Sequence, residues 1–185
     1  VKASSTADTY GRKDYKHGLI FSGLYNSKTD INNLNQFIKA EGITKDLNPE
    51  YGSIQKLFTR NTNILAFCEN KVLKILSNKD ALFNADGNTN LTSSKAVLGT
   101  AVPFSGDYGI SRNPESFAED EFRCYFTDRD RGAVCRLSMD GITPISSIGM
   151  SDYFADELKT AVACVGAFND KKGEYDLTIH NNLGT

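Results

Sequence analysis

The clearest pattern along the chain is a pair of short apolar stretches separated by an acidic residue and a polar turn. In NILAFCE (63–69) an apolar stretch ends at Glu69, and after a tight turn at Asn70 the segment KVLKIL (71–76) is apolar again. Stretches of this length, rich in β-branched and aromatic residues and bounded by turn formers, are typical of β-strands. The pattern predicts a β-hairpin.

The same unit recurs further along the chain. EFRCYFTD (121–128) and AVCRLS (133–138) flank the turn RDRG, and a weaker copy places the turn KKG between VACVGAFND (162–170) and EYDLTI (174–179). Phe67 and Phe126 are 59 residues apart, and Phe126 and Phe168 are 42 apart. This spacing is irregular, but it is close to the roughly 40–50 residues of one β-propeller blade.

These units predict a mainly β fold, made of propeller-like blades or hairpin repeats with one short helix. A blade has four strands, and residues 140–146, which begin with an Asp-Gly turn, would supply a further strand. The alternative is a set of ordinary hairpins in a β-sandwich.

Other segments are assigned from local signals. Residues 17–25 predict one strand, and residues 48–52 predict a turn. A helix is predicted over residues 151–159, with Ser151 as its cap and Asp152 favourable at its amino end. Residues 31–42 stay open, since Ile31, Leu34 and Ile38 have helical spacing but lie among three asparagines.

The amino-terminal residues have a different character. Residues 1–16 are small, polar and charged without a period, which predicts an extended arm or linker, followed by a β-rich domain over residues 17–185. The chain starts at Val1 without an initiator Met or an apolar signal core, so we expect a processed or excised segment of a larger chain.

Composition narrows the classes of function. The formal net charge is −2, from 21 Lys+Arg and 23 Asp+Glu, and no basic block is present. This argues against a direct nucleic-acid site. The longest strongly apolar runs, residues 19–21 and 64–68, are far shorter than the roughly 20 residues that span a bilayer, so no membrane segment is predicted.

The four cysteines are predicted to be free core thiols. They are widely spaced, with only two histidines in the chain, and zinc-binding spacing is absent. Three of them lie in apolar, strand-like runs, where a free cysteine behaves as a small buried hydrophobe. The four are Cys68, Cys124, Cys135 and Cys164.

Candidate reactive groups do not form a convincing site. His17 and His180 are the only imidazoles, and no nucleophile-turn motif accompanies them. Asn84, Asp86, Asn88 and Asn90 alternate as in a calcium loop, but the EF-hand pattern fails, which favours a solvated hairpin loop.

The acid pairs and the charged turn do not indicate a site either. The acid pairs are Asp128 with Asp130 and Glu119 with Asp120, and adjacent acids in turns are usually solvated. Trp, which commonly stacks on sugar rings, is absent, so glycoside cleavage by such a pair is not favoured. The turn residues 129–131 are expected to face solvent or a neighbouring subunit. No residue is therefore predicted to be catalytic, to bind a cofactor or to bind a metal, and the chain is predicted not to be an enzyme.

Several segments together resemble a family of virion structural proteins from tailed bacteriophages, including tail nozzle or muzzle components of crAss-like phages. The resemblance covers most of the chain from about Tyr10 onward. The segments that carry it are YKHGLIFSGLYNS (15–27), NLNQFI (33–38), KDLNP (45–49), YGSIQKL (51–57), ENKVLKIL (69–76), NKDALFNADG (78–87), YFTD (125–128) and RGAVCRLS (131–138).

The resemblance implies a structural role in the virion tail, as part of a large subunit that is made in the bacterial cytoplasm and assembled in several copies around the tail axis. The implied partners are other tail subunits and copies of the same chain. The family offers no catalytic residues to carry over. The alternative is a tail-fibre or adhesin module that binds a host surface receptor or glycan through its loops.

Overall fold

The computed structural model of this chain describes residues 12, 14–38, 40, 42–83 and 89–181; for residues 79–83, 89–90 and 93–96 it describes the backbone only. β-Strands dominate these residues, which confirms the predicted mainly β class. The strands are β1 (Gly18–Ile20), β2 (Tyr25–Asn26), β3 (Ile31–Asn32), β4 (Thr44–Asp46), β5 (Ile54–Arg60), β6 (Asn63–Cys68), β7 (Val72–Phe83), β8 (Thr89–Pro103), β9 (Ala118–Asp120), β10 (Arg123–Asp128), β11 (Ala133–Ser138), β12 (Gly141–Pro144), β13 (Ala161–Asn169) and β14 (Glu174–Asn181), and the helix α1 is Ser151–Thr160.

Two four-stranded antiparallel meanders form the centre of the fold. Sheet A has the order β5-β6-β7-β8 and sheet B the order β9-β10-β11-β12, so in both sheets each strand pairs with its neighbour in sequence. Smaller antiparallel pairs join β1 with β4, β2 with β3 and β13 with β14. This local connectivity follows from short turns, which can link only antiparallel strands.

Side chains of sheet A alternate between two cores, as the two-residue period of a strand requires. Leu65 and Phe67 pack towards sheet B, while Ala66 and Cys68 pack on the opposite face against Leu47, which follows β4. Both faces of β6 are therefore covered. This explains why its sequence is a continuous apolar run rather than an alternating one.

Sheet B is also covered on both sides. Phe126 and Cys135 belong to the core shared with sheet A, whereas Val134 packs in a third core with Leu158 of α1 and Cys164 of β13. The order of layers is therefore the β1–β4 pair, sheet A, sheet B, and finally α1 with the β13–β14 hairpin.

Aromatic rings hold the layers together. Phe67 and Phe126 meet edge to face, with ring centroids 5.3 Å apart, across the A–B interface. On the other side of sheet B, Tyr125 stacks on Phe168 and Tyr175 at 5.5 and 5.3 Å. Pairs of this kind contribute roughly 0.5–1.5 kcal/mol beyond the area that they bury.

The hairpins of the repeated unit are confirmed, with one difference in position. The segments 63–69 and 71–76 form β6 and the start of β7, and 133–138 coincides with β11. The third copy, β13 with β14, is also a hairpin. It differs in position, because β13 is the first strand of its sheet, whereas β6 and β10 are the second strands of sheets A and B. The strand predicted after the Asp-Gly turn is β12, which ends at Pro144.

The irregular spacing has a structural cause. β7 and β8 extend beyond sheet A as a long hairpin, in which pairing continues past Ser77 and Leu98 to Phe83 and Thr89. The Asp-Gly sequence favours a hairpin loop here, but the flanking residues are mostly polar and do not predict strands of this length. The loop residues 84–88, including the oxygen-rich Asp86 and Asn88, lie outside the described residues.

Two local predictions need correction. Residues 17–25 do not form one strand: Gly18–Ile20 pairs with β4, and Tyr25–Asn26 turns back to pair with β3. The helix is present, but Ser151 is its first residue rather than its cap. The cap position is Met150, whose carbonyl accepts the first helical bond from Phe154 N–H at 3.1 Å.

Part of the segment 31–42, for which the sequence predicts neither helix nor strand clearly, is a strand. Ile31–Asn32 is strand β3, and Ile31, Leu34 and Ile38 are all about half exposed. Their helical spacing therefore does not mark a buried helix face.

Residues 48–52 form the predicted turn, in which Asn48 caps a short 3-10 helix, Pro49–Tyr51, by accepting a hydrogen bond from Glu50 N–H. Most of the predicted arm, residues 1–11 and 13, lies outside the described residues, and the domain boundary stays a prediction.

Candidate functional site

The acid that ends β10 is an internal anchor of the fold. The carboxylate of Asp128 is fully buried and accepts hydrogen bonds from Gly109 N–H at 3.1 Å and from Ser111 Oγ at 3.0 Å. Arg131 donates two more, from its backbone N–H at 3.1 Å and from Nη1 at 3.0 Å. A buried carboxylate is tolerated when a cation and several hydrogen-bond donors surround it. The carboxylate of Asp128 has both kinds of partner.

The acid that follows β6 has a similar setting nearer the surface. Glu69 accepts a hydrogen bond from Ser53 Oγ, and its Oε1 atom lies 3.4 Å from Arg112 Nε. The Ser53 hydrogen bond, aided by Arg112, lowers the pKa of the Glu69 carboxyl group below its ordinary value against the opposing effect of burial. Glu69 is therefore an anion at neutral pH.

One connecting segment binds both acidic turns. Ser111 N–H donates to the carbonyl oxygen of Glu69 at 3.0 Å, while its hydroxyl donates to Asp128. The backbone of Ser111 is left-handed, with φ of 51°. Gly109 approaches so close to the carbonyl of Glu69 that a Cβ atom would overlap it. The repeated strand–acid–turn pattern thus marks an interlock between sheets A and B.

The predicted acid pairs do not form shared sites. Asp128 is enclosed by its donors, whereas the side chain of Asp130 is exposed. Glu119 is exposed, and the carboxylate of Asp120 accepts the N–H of Glu121 at 2.8 Å. Neither pair has the arrangement of a general acid and base around a substrate.

The prediction for the charged turn 129–131 is wrong for Arg131. Its guanidinium folds back onto Asp128 instead of pointing only to solvent or to a neighbouring subunit. The buried acid explains this, because an uncompensated carboxylate in the interior would be costly.

The two histidines lie in different layers. The carbonyl of His17 accepts a hydrogen bond from Leu47 N–H beside the β1–β4 pair, while His180 pairs with Ala163 in the last hairpin. These layers stand at opposite ends of the order, with sheets A and B between them. In the described ranges, no group of three or more His, Cys, Asp or Glu side chains could hold a metal ion.

All four cysteines are buried core residues and are unpaired. Their predicted place in the core is confirmed. Burial raises the pKa of the Cys68 and Cys124 thiols to about 11 and raises those of Cys135 and Cys164 as well. Thiols held protonated in this way are poor nucleophiles.

One part of the surface is unusually apolar. Between residues 20 and 38, several large apolar side chains on and near the small β2–β3 pair are about half exposed or more, and Tyr25 and Ile31 lie on opposite faces of that pair. The exposed side chains are Ile20, Leu24, Tyr25, Ile31, Leu34, Phe37 and Ile38. We call this the 20–38 surface. Large exposed apolar side chains gathered in one segment often mark an interaction site.

A cleft also opens between the two central sheets. Its volume is about 420 Å³, and it lies where the β5–β6 and β9–β10 turns approach each other. Arg60 Nη2 donates to the carbonyl of Phe122 at 2.5 Å across this end of the sheets. Sequence patterns do not predict this cleft, because its walls come from segments some 60 residues apart.

No protein-family model matches this chain, and no curated protein matches it. Within the part of the chain that the structure covers, no helix is long and apolar enough to cross a membrane.

Proposed function

We propose that this chain is a structural component of a bacteriophage tail, of the nozzle or muzzle type, and that sheets A and B are successive blades of a propeller-like array. The observation that carries the proposal is the repeated stacking of sequential four-stranded meanders. This, together with the family resemblance of the sequence, supports a structural role in an assembly.

The spacing of the sheets supports the propeller-like reading. The first strands β5, β9 and β13 begin at Ile54, Ala118 and Ala161, which are 64 and 43 residues apart. The β7–β8 extension accounts for the difference, because residues 78–97 lie beyond the pairing of Ser77 with Leu98. Without those 20 residues the first spacing is 44, which is near the second and within the range of a propeller blade.

Packing supports it as well. Successive blades of a propeller lie face to face, and the A–B core is such a contact, with Phe67 against Phe126 at its centre. The β13–β14 hairpin packs in the same way on the opposite face of sheet B, where Cys164 and Val134 belong to one core.

The 20–38 surface supports the role in assembly. A monomer that exposed this much apolar area in water would be prone to associate, whereas a virion subunit can bury it against a neighbour. Copies arranged around an axis use such a patch in a head-to-tail contact.

The direct experiment is to purify phage particles that encode the chain, to quantify it by mass spectrometry and to locate it with a gold-labelled antibody. We expect several copies per particle and label on the tail axis. Absence from purified particles would refute the structural role. Label confined to peripheral fibres would favour the adhesin instead.

A further inference from the structure

The cleft between sheets A and B has features of a binding site that a purely structural contact would not need. At about 420 Å³ it lies within the roughly 300–1,000 Å³ of small-molecule sites. Its walls combine aromatic, cationic and amide side chains, and they belong to two sheets that are fixed to each other by the A–B core.

Lys74 is the central feature. It lies on β7 opposite Leu65, a buried residue of the A–B core, so its side chain rises from the face that looks towards sheet B. Lys74 is itself only partly exposed. In the described residues its ammonium group has no ion pair or hydrogen bond, unlike Lys71, which binds Asp107 at 2.9 Å. Within the ranges that the structure describes, Lys74 is therefore a cation without a counter-ion in the wall of the cleft, and an anion bound there would pair with it.

Two neighbours extend the polar wall. Asn63, at the start of β6, has a buried side-chain oxygen without a hydrogen-bond donor in the described part of the chain. Arg123, at the start of β10, is exposed at the same cleft, and Arg60, which donates to the Phe122 carbonyl, is the third cation of its wall. An unsatisfied buried acceptor in a cleft with three cations favours a ligand that carries both hydroxyl donors and an anionic group.

The remaining wall fits the carbon skeleton of such a ligand. Phe58 and Phe104 line the cleft with apolar ring surface, and Asp120 and Glu121 add carboxylates that can accept hydrogen bonds from hydroxyl groups. Aromatic surface packs against C–H groups, while carboxylates and amides bind hydroxyls. The cleft thus offers separate contacts for an apolar ring face, for hydroxyl groups and for one negative charge.

We propose that this cleft binds an acidic saccharide unit, with Lys74 and Arg123 facing its anionic group and Asn63 accepting from a hydroxyl. The inference goes beyond the proposed tail role and does not rest on it, because it concerns only the chemistry of the cleft.

The test is a titration of the isotopically labelled chain, followed by nuclear magnetic resonance, with methyl glucuronide as the probe. Methyl glucoside matches the sugar without the charge, and sodium acetate matches the charge without the sugar. We expect the glucuronide to shift the amide signals of Asn63 and Lys74 at lower concentration than either control compound.

The variant Lys74→Met keeps most of the side-chain length and removes the charge. It should weaken glucuronide binding about tenfold, as expected for the loss of one charge-assisted hydrogen bond. Lys159→Met, on the exposed last turn of α1, is the matched control and should change binding less than about twofold. Arg123→Met provides an independent variant at an exposed position, in case Lys74→Met does not fold.

Three results would overturn the proposal. The first is that the glucuronide causes no shift, and the second is that the glucoside or acetate binds as well as the glucuronide. The third is that glucuronide binding is unchanged in folded Lys74→Met, or in Arg123→Met if Lys74→Met does not fold.

Discussion

The hydroxyl of Ser111 donates a 3.0 Å hydrogen bond to the buried carboxylate of Asp128. Through its backbone N–H the same residue also binds the carbonyl of Glu69, so it connects the acidic turns of sheets A and B. The ends of two hairpins are thereby fixed by one short connecting segment, residues 109–111.

Replacing Asp128 with Ala should strongly destabilise the chain. The change leaves the donors of Gly109, Ser111 and Arg131 without their acceptor. We expect a loss of about 3 kcal/mol in the free energy of unfolding, at the low end for a broken buried pair because Arg131 can reach water. Urea denaturation measures it. Asp130→Ala, at an exposed side chain, is the control and should stay within about 0.5 kcal/mol; equal effects of the two changes would contradict the anchor role.

The aromatic contact between the sheets predicts a second large effect. Phe126 is fully buried and touches Phe67. Phe126→Ala should therefore cost about 3–5 kcal/mol, from lost burial and the cavity that remains. Phe122 lies four residues earlier and is 66% exposed. If Phe122→Ala destabilised the chain as much in thermal or urea unfolding, the placement of the A–B core would be wrong.

The thiols predict a loss of stability at alkaline pH. Burial raises the pKa of Cys68 and Cys124 from 9.0 to about 11. Because the folded-state pKa is the higher one, their contribution to stability is complete below pH 9 and falls as the pH rises from 9 towards 11. Urea midpoints measured across this range should fall less in a Cys68→Ala, Cys124→Ala double variant than in the original chain. Parallel curves would contradict the prediction.

Thiol counting gives a separate test of the cysteines. The folded chain should react slowly with a thiol reagent at pH 8, because the buried thiols are protonated. The unfolded chain, without prior reduction, should show four reactive thiols, one for each free cysteine. A count of two or none would mean that disulfides form.

The proposed assembly role predicts a separation of stability from association. Leu24 and Phe37, on the 20–38 surface, are 66% and 56% exposed. The double change Leu24→Ser, Phe37→Ser should alter the free energy of unfolding by no more than about 0.5 kcal/mol, yet reduce self-association in analytical ultracentrifugation. Ile148→Ser, at a residue that is 83% exposed elsewhere on the chain, is the control. Unchanged association in the double variant would remove this surface from the proposed contact.

The local pattern was enough to identify most elements of the two central sheets. Apolar stretches of strand length bounded by turn formers located β6, β10 and β11, and the cysteines within or beside those stretches were correctly assigned to the core. The helix was placed within one residue at its end, since Asp152 is favourable at the amino end of a helix. These features depend on residues close in sequence.

Only the tertiary structure decided how these elements combine. The polar β7–β8 extension is a strand pair because the backbone of each strand supplies hydrogen-bonding partners to the other. The side-chain pattern of the two segments does not reveal this pairing. Arg131 turns inward because Asp128 is buried, and Asp128 is buried because sheets A and B close over it. Lys74 and Asn63 become candidate ligand contacts only when β6 and β7 are set against sheet B. Burial and charge pairing are properties of contacts between distant segments, and a strand's sequence fixes its two faces without fixing what covers them.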